Sequence, residues 1–406
     1  MSAMTGSGWL IAPIGVEVLP GPSLLAGIAR GPGLTAHRSV RGPLPRVGID
    51  ELIDLAARTG LRGRGGAGFP LENKLRAVRR AHRPPVVVNV CEGEPLSAKD
   101  AALAVVAPHL VLDGAVLAAR ALGSRTVHLA VPGERPVVGA SLAGAVGERH
   151  PREDGVRFAL HTARPGFVSG QARAVLELIE GRENLPVTGL RPATLTGLRG
   201  RPTLLNNAET FAQLAAVALP SWQEGAPAHR ALTTLLTVDD GGERRVREVP
   251  LGTPWHEVLG PQARRGHVLV GGFHGRWASA GALDCLTISQ EDMERCGLTL
   301  GAGVVFVPPG CPVDATSRIV SFLAGQTAGR CGPCMNGLPA LASLVSDLAD
   351  GCADRNEVAR ISRVVTGRGA CAHPDGTAAM VESALHALDG ELARHARGQC
   401  AWSGSS

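Results

Sequence analysis

Between residues 86 and 163 the chain alternates short apolar runs with longer amphipathic stretches. VVVNV at 86–90, TVHLAV at 126–131 and VRFALHT at 156–162 are rich in β-branched residues and have strand length. Between them, a stretch opened by Pro108 and running to Leu122, and another near 137–149, carry apolar residues at helical spacing. Short strands separated by helices of this length predict a parallel sheet with crossover helices, an α/β fold. A further helix is expected from about Gln171 to Gly181, and the Gly-, Pro- and Thr-rich segment from Asn184 to Pro202 reads as an ordered loop.

From about Ala231 the pattern changes to short alternating strands: ALTTLLTVDD, a GG turn, RRVREVPLG and later GHVLVGG. They predict a small, separate β-rich domain ending near Leu286. After one more strand, in GAGVVFVPP at 301–309, apolar repeats run through Ile319 to Ala324, Leu338 to Leu348, Val358 to Val365 and Ala378 to Leu392. Their period is helical, which predicts a small bundle around Cys331, Cys334 and Cys371. A chain of 406 residues that is 44% hydrophobic buries a substantial core and should form two or three domains.

Charge narrows the function classes. The net charge of +5 is spread along the chain without a basic block, and aromatic residues make up only 3%, so nucleic-acid binding is not expected. No apolar run approaches the roughly 20 residues needed to span a bilayer, and the N-terminal apolar stretch lacks a basic region before it. A cytoplasmic location, with any membrane association peripheral, is the expectation. Nine cysteines without a secretory signal argue against a disulfide framework. Only Cys91 lies in the first 284 residues, so a metal or cluster is to be sought in the C-terminal third.

The richest local chemistry is GLRGRGGAGFPLENK, Gly60 to Lys74. Of the 41 Lys and Arg residues only two, Lys74 and Lys99, are lysines. A retained lysine in an arginine-biased chain suits a task for a compact charge, such as holding one phosphate or carbonyl oxygen. Gly63, Gly65, Gly66 and Gly68 allow backbone amides to converge on an anion. Gly63, Gly65 and Gly68 also satisfy G-x-G-x-x-G, but that fingerprint should follow a strand and open a helix. Here the preceding segment, IDELIDLAART from Ile49 to Thr59, has helical spacing and ends at Gly60 like a C-cap. The reading is a flavin or nucleotide cradle of a different geometry, against the alternative of a flexible surface loop.

In this order the pieces resemble the NADH-binding flavoprotein subunit of respiratory complex I and the related diaphorase subunits of hydrogenases and formate dehydrogenases. The resemblance runs from about Arg41 to the end of the chain. It rests on the loop from Gly60 to Lys74, on NVCEGEPLSAKD from Asn89 to Asp100, and on LLNNAET from Leu204 to Thr210. It implies an N-terminal extension over 1–40 and a Rossmann-like FMN-binding domain, with a possible NADH site, over 41–228. A small β-grasp (SLBB-like) domain over 229–300 and a helical-bundle iron–sulfur domain over 301–400 would follow. The FMN site would comprise Gly63, Arg64, Gly65, Gly66, Gly68 and Phe69, then Lys74, Asn89, Glu92 and Glu94, and finally Phe167, Gly170, Asn206 and Asn207. Lys74 and the loop amides would hold phosphate and ring oxygens, and the asparagines would offer both donors and acceptors. Lys74 and Glu94 would act at the reacting site, with Glu92 and Glu94 facing flavin or nicotinamide hydroxyls. The structural alternatives are that Asn206 and Asn207 cap the next helix, and that Glu92 and Glu94 are turn carboxylates.

The departures from the family are specific. In FVSGQARAV, Gly170 stays while two carboxylates that position NADH become Gln171 and Ala172, and Arg173 adds a charge suited to phosphate. Phe69 remains, but Ala77 and the aromatic-free loop from Leu185 to Leu198 remove stacking partners, and Cys91 stands where an aspartate is expected. At the cluster, QTAGRCGPCMNG places Cys331 and Cys334 at the second and third ligand positions, Ala328 at the first, and Cys371 at the distant fourth. Three thiolates stand where a [4Fe–4S] cluster takes four. The open outcomes are a cluster completed by Cys352, Cys311, His373 or Asp375, a three-iron or labile four-iron cluster, zinc, or nothing. The expected function is electron transfer from NAD(P)H through FMN and an iron–sulfur cluster to another redox subunit. The alternatives are a flavin relay fed by a ferredoxin-like protein, and a non-catalytic scaffold subunit.

Overall fold

The computed structural model describes residues 3–5, 8–11, 14–189, 191–219, 232–260, 263 and 266–402. The chain divides into two compact units, Met1–Thr237 with Arg245–Leu251, and Val238–Arg244 with Gly252–Ser406.

The first unit opens with an antiparallel meander of β1 (Ala3–Thr5), β2 (Gly8–Ile11) and β3 (Val16–Val18). Helices α1 (Leu34–Arg41), α2 (Ile49–Thr59) and α3 (Leu71–Val78) follow. The alternating pattern then builds a parallel sheet from β4 (Val86–Asn89), β5 (Thr126–Pro132) and β6 (Arg157–Ala163), joined by β7 (Leu204–Asn207), in the order β6-β5-β4-β7. Val86, Val87 and Val88 are fully buried, as a parallel strand covered on both faces requires. The crossover helices include α4 (Lys99–Val106), α5 (Pro108–Ala121), α6 (Pro136–Gly147) and α7 (Pro151–Asp154), and α8 (Ala172–Ile179) and α9 (Ala208–Ala218) come later.

Strand β7 has no counterpart in the sequence reading, because LLNN offers only two apolar residues. Its position decides where a ligand goes. The chain steps outward from β4 to β5 to β6 and then returns to the other side of β4. In open α/β sheets ligands bind beyond the carboxyl ends of the strands at such a reversal. Asn89 and Asn207, which end β4 and β7, are register partners there.

The strands expected after Ala231 form a hairpin of β8 (Thr233–Asp240) and β9 (Glu243–Pro250). The β-rich domain expected over 229–300 is not one of the two compact units. The base of the hairpin belongs to the first unit and its tip, Val238–Arg244, to the second. The reason is strand β3, which pairs in parallel with β9 through Val18 and Val246. The buried Glu248 carboxylate tightens that attachment by accepting from the amides of Ser23, Leu24 and Leu25 at 3.1, 2.7 and 2.9 Å.

In the second unit β10 (His267–Val270) pairs antiparallel with both β11 (Arg276–Ser279) and β12 (Val304–Val307). Helices Pro312–Gly325, Leu338–Ala349, Arg355–Val365, His373–Ala387 and Asp389–His395 complete it. The repeat read as continuous from Ala378 to Leu392 breaks at Leu388, between the last two helices. All nine cysteines are free thiols. Among the described residues no single helix is long and apolar enough to cross a membrane; α4 and α5 pass that test only as a pair bent by 96°.

Candidate cofactor sites

Helix α2 ends at Gly60 in the left-handed conformation, and the next residues form a closed loop. Its base is pinned by an antiparallel bridge between Arg62 and Pro70 and by the Gly63 amide donating to the Phe69 carbonyl at 2.9 Å. At the far side Gly66 takes φ 109°, and a Cβ there would meet nothing within 4 Å. The loop is held from below. The Arg64 amide donates to Thr210 Oγ1 at 2.9 Å, and Asn207 Nδ2 donates to the Arg64 carbonyl at 3.0 Å. The Arg64 side chain is buried in the fold, donating to the Thr233 carbonyl at 3.0 Å, which makes it a positioning residue for the loop. Phe69 is half exposed at 49%.

Lys74, in the second turn of α3, lies beside this loop. Its ammonium donates to Asn206 Oδ1 at 2.7 Å and to the Leu205 carbonyl at 3.2 Å. A lysine has only donors, so the Asn206 oxygen must face it and Nδ2 must point away. That Nδ2 is buried and has no hydrogen-bond partner among the described residues, in a residue only 3% exposed. An unsatisfied buried donor of this kind costs about 1–3 kcal/mol. At the carboxyl edge of a parallel sheet it is the mark of a site built for an absent acceptor.

The other expected residues divide into two groups. Asn207 is a helix cap: its Oδ1 accepts from the Thr210 amide at 3.3 Å, while Nδ2 serves Arg64 and Asp100. Glu92 is committed in the same way. Its oxygens accept from the Asp100 and Ala101 amides at 3.0 and 2.9 Å at the start of α4, from Ser97 at 2.7 Å and from Arg135 at 3.2 Å. Asn89 donates to the Gly170 carbonyl at 2.7 Å and accepts from the Cys91 amide at 3.1 Å. The loops of Glu92 and Phe167 run so close that a Cβ on Gly93 would lie 2.1 Å from the Phe167 carbonyl oxygen, and one on Gly170 2.5 Å from that of Cys91. Glu94 is 7% exposed and accepts from the Leu96 amide at 3.3 Å. Sequence reasoning gave no role to Asp100, Glu209 or Thr210, although all three lie inside the quoted motifs; they hold the loop and helix ends in place.

The two lysines have opposite electrostatics. Burial disfavours charge on both, but Lys99 lies between Asp100 and Glu209, 2.8 Å from each, and its pKa is raised. Lys74 has no carboxylate partner among the described residues, and burial lowers it to about 8. Unfolding therefore takes up a proton between about 8 and the ordinary value of 10.5, so this lysine adds stability as pH rises through that window. The raised thiols of Cys91, Cys311 and Cys334 act with the opposite sign above 9. The lysine's part is therefore read as the difference between the wild-type apoprotein and Lys74→Met. Denaturant midpoints on either side of pH 8 should show that difference moving in favour of wild type as pH rises, and a flat difference contradicts the assignment.

In the second unit, Cys331 precedes and Cys334 lies within a π-helical turn, Pro333–Gly337. Burial, then the adjacent Cys331 and Cys371, push the Cys334 thiol up to about 12, while the Ala328 amide approaches its sulfur. Burial also acts against the Cys331 thiolate, but the amides of Ala370 and Cys334 hold its pKa below the usual value. Cys331 thus lies within hydrogen-bond reach of Cys334, and Cys371 is near enough to act on the Cys334 charge, with the Ala328 amide beside that sulfur. The proposed fourth ligands are occupied elsewhere. Asp375 accepts from the Gly367 amide at 2.8 Å, His373 bonds the Leu323 carbonyl at 2.9 Å and His274 at 3.2 Å, and Cys352 is exposed beside the Asp350 carbonyl. Three thiolates would supply ligands to three irons of a cuboidal cluster.

Comparison with known proteins matches the Nuo51 FMN-binding domain over residues 56–216 and the NADH-ubiquinone oxidoreductase-F iron-sulfur binding region over 314–395. The second NADH-quinone oxidoreductase F-type subunit of Rhizobium meliloti is 28% identical over 389 residues, covering 88% of this chain and 92% of that protein. NADP-reducing hydrogenase subunit HndC of Solidesulfovibrio fructosivorans is 28% identical over 338 residues, covering 77% of this chain and 68% of that protein. Among solved structures, the air-oxidized NAD+-reducing [NiFe]-hydrogenase aligns with a TM-score of 0.77 at 25% identity, over 92% of this chain and 66% of that one. The chain thus spans about two thirds of the hydrogenase chain it resembles. An α/β unit with a glycine loop at its carboxyl edge and a helical unit with converging thiols define a class of two-part redox subunits. This chain belongs to the family of NADH-quinone oxidoreductase F-type subunits, as a divergent member.

Proposed function

We propose that the chain is an FMN-dependent electron-transfer subunit that takes electrons from NAD(P)H and passes them, by way of an iron–sulfur centre at Cys331, Cys334 and Cys371, to another redox subunit. The observation that carries this is the buried, unpartnered Asn206 Nδ2 beside Lys74 and the Gly60–Lys74 loop. Flavin presents acceptor oxygens and nitrogens along its ring edge and a phosphate at its tail, and when bound it interconverts two-electron and one-electron chemistry. Asn206 would donate to a ring acceptor, and the amides around Gly66 would face an anionic or carbonyl oxygen. Lys74 keeps a charge beside them, and Glu94 is the carboxylate assigned to flavin or nicotinamide hydroxyls. The location that goes with this reading is cytoplasmic, peripheral to a larger redox complex.

A second reading has an observation of its own. Gln171 and Ala172 begin α8 where acceptors for nicotinamide hydroxyls are needed, and the Arg173 guanidinium is turned to the Arg191 carbonyl. This favours a ferredoxin-like donor. An anaerobic preparation reconstituted with FMN decides between them. Rapid loss of flavin absorbance on adding NADH or NADPH is the expected result. Failure of both nucleotides with reduction by ferredoxin selects the relay, and protein that takes up no flavin at all leaves only a scaffold role.

A further inference from the structure

Four side chains outside the three-thiol site converge in the second unit. Cys311, Glu391, His395 and Cys400 each present one donor atom, and all four atoms lie within 4.8 Å of one another. We propose that they form a structural zinc site.

The geometry suits a small tetrahedral ion. Cys311 Sγ is 3.2 Å from His395 Nε2, and His395 Nε2 is 3.7 Å from Glu391 Oε1. Donors bound at roughly 2.0–2.3 Å around a tetrahedral zinc lie about 3.3–3.8 Å apart. The imidazole is already set in the required tautomer. Its Nδ1–H donates to the Ala349 carbonyl, which leaves the Nε2 lone pair facing the sulfur, the support that metal-bound histidines almost always have. Three of the four residues are buried and Cys400 is half-buried, the closed environment of a structural rather than a catalytic site.

Charge points the same way. Glu391 is 3% exposed, and its Oε2 accepts from Arg394 Nε at 3.0 Å. Two thiolates, one carboxylate, one guanidinium and a divalent cation leave the cluster neutral. Both thiol protons pass to solvent on binding. A mixed sulfur, nitrogen and oxygen set selects zinc over calcium or magnesium, which take oxygen ligands. In the chain, Cys311 caps helix Pro312–Gly325, Glu391 and His395 lie four residues apart on helix Asp389–His395, and Cys400 follows. The ion would therefore fasten the last described helix and the segment after it to the first helix of the bundle, and it also accounts for Cys311 not serving the three-thiol site.

Protein purified anaerobically with reductant, loaded with zinc and desalted, should carry about one zinc per chain by elemental analysis. Cobalt(II) used alone as a probe should give the absorption of a tetrahedral thiolate complex. Cys400→Ser and His395→Gln should lose the zinc and the cobalt spectrum with iron content unchanged. Cys400 is half-buried near the end of the described chain, so the first variant should fold; its circular dichroism confirms that. Wild type that binds no zinc, zinc retained in full by Cys400→Ser, or a Cys311–Cys400 disulfide in place of the metal would each overturn the proposal.

Discussion

Asn206→Asp is expected to weaken FMN binding on the order of a hundredfold while leaving the apoprotein at least as stable as wild type. The substitution keeps the shape of the side chain and the oxygen that accepts from Lys74 at 2.7 Å. It strengthens that contact by turning a neutral acceptor into an anion. What it removes is the buried Nδ2 donor, replaced by an oxygen that would oppose the acceptors of the flavin edge. Losing one buried donor bond and opposing two acceptors costs about 2–3 kcal/mol, with each factor of ten worth about 1.4 kcal/mol. The neighbouring Asn207→Asp makes the contrast. There the lost amide releases the Arg64 carbonyl and puts a second carboxylate beside Asp100, so the loop and the fold should suffer together. Fluorescence titration of apoprotein with FMN, alongside thermal denaturation, separates the two effects. If Asn206→Asp binds FMN as wild type does, the unpartnered amide is not the flavin contact and the site assignment loses its main support.

How far the chain could be read in advance follows from what each element shows to a sequence. Strands β4, β5 and β6 were legible because each is a run of β-branched residues between helices. Strand β7 was not: two of its four residues are asparagines that end at the site, so function overrides the apolar signal that marks a strand. The meander β1 to β3 was missed because its Gly- and Pro-broken run lacks a clear period. The glycine loop and the thiol triad were legible as motifs. The separate work of adjacent asparagines was not, since one caps a helix and the other carries a buried, unpartnered donor only through the position of Lys74 in space. Glu92 shows the same limit: the resemblance turns it to flavin or nicotinamide hydroxyls, whereas in three dimensions its carboxylate accepts from the Asp100 and Ala101 amides at the start of α4. The cluster of Cys311 with Cys400 joins residues far apart in the chain, at no spacing that marks a metal site.

Ala328→Cys should convert the three-thiol site into a four-thiol one, with iron rising from about three to about four per chain after anaerobic reconstitution. The wild-type site offers Cys331, Cys334 and Cys371, and the Ala328 amide already approaches the Cys334 sulfur, so a thiol on that residue enters the same space. Residue 328 stands three positions before 331, and 331 three before 334, a spacing that lets a short loop and one helical turn wrap a cuboidal cluster. Of the other ligands weighed for the fourth position, Asp375 and His373 are each held by backbone partners, Cys311 lies in the cluster with His395, and Cys352 is exposed beside the Asp350 carbonyl. With three thiolates, one iron corner has no protein ligand and is the first to leave on oxidation. Electron paramagnetic resonance of the oxidised wild type should therefore show a three-iron signal. That signal should vanish in Ala328→Cys, and a signal from a four-iron cluster should appear on reduction. Ala328 is half-buried in the segment ahead of the π-helical turn, outside the apolar core, so the added sulfur should not disturb the packing, and an unchanged melting temperature is the control. If iron content and both spectra stay as in wild type, then either a ligand from another protein already completes the cluster or the three thiols hold something other than iron, and the two are separated by elemental analysis of the wild-type protein alone.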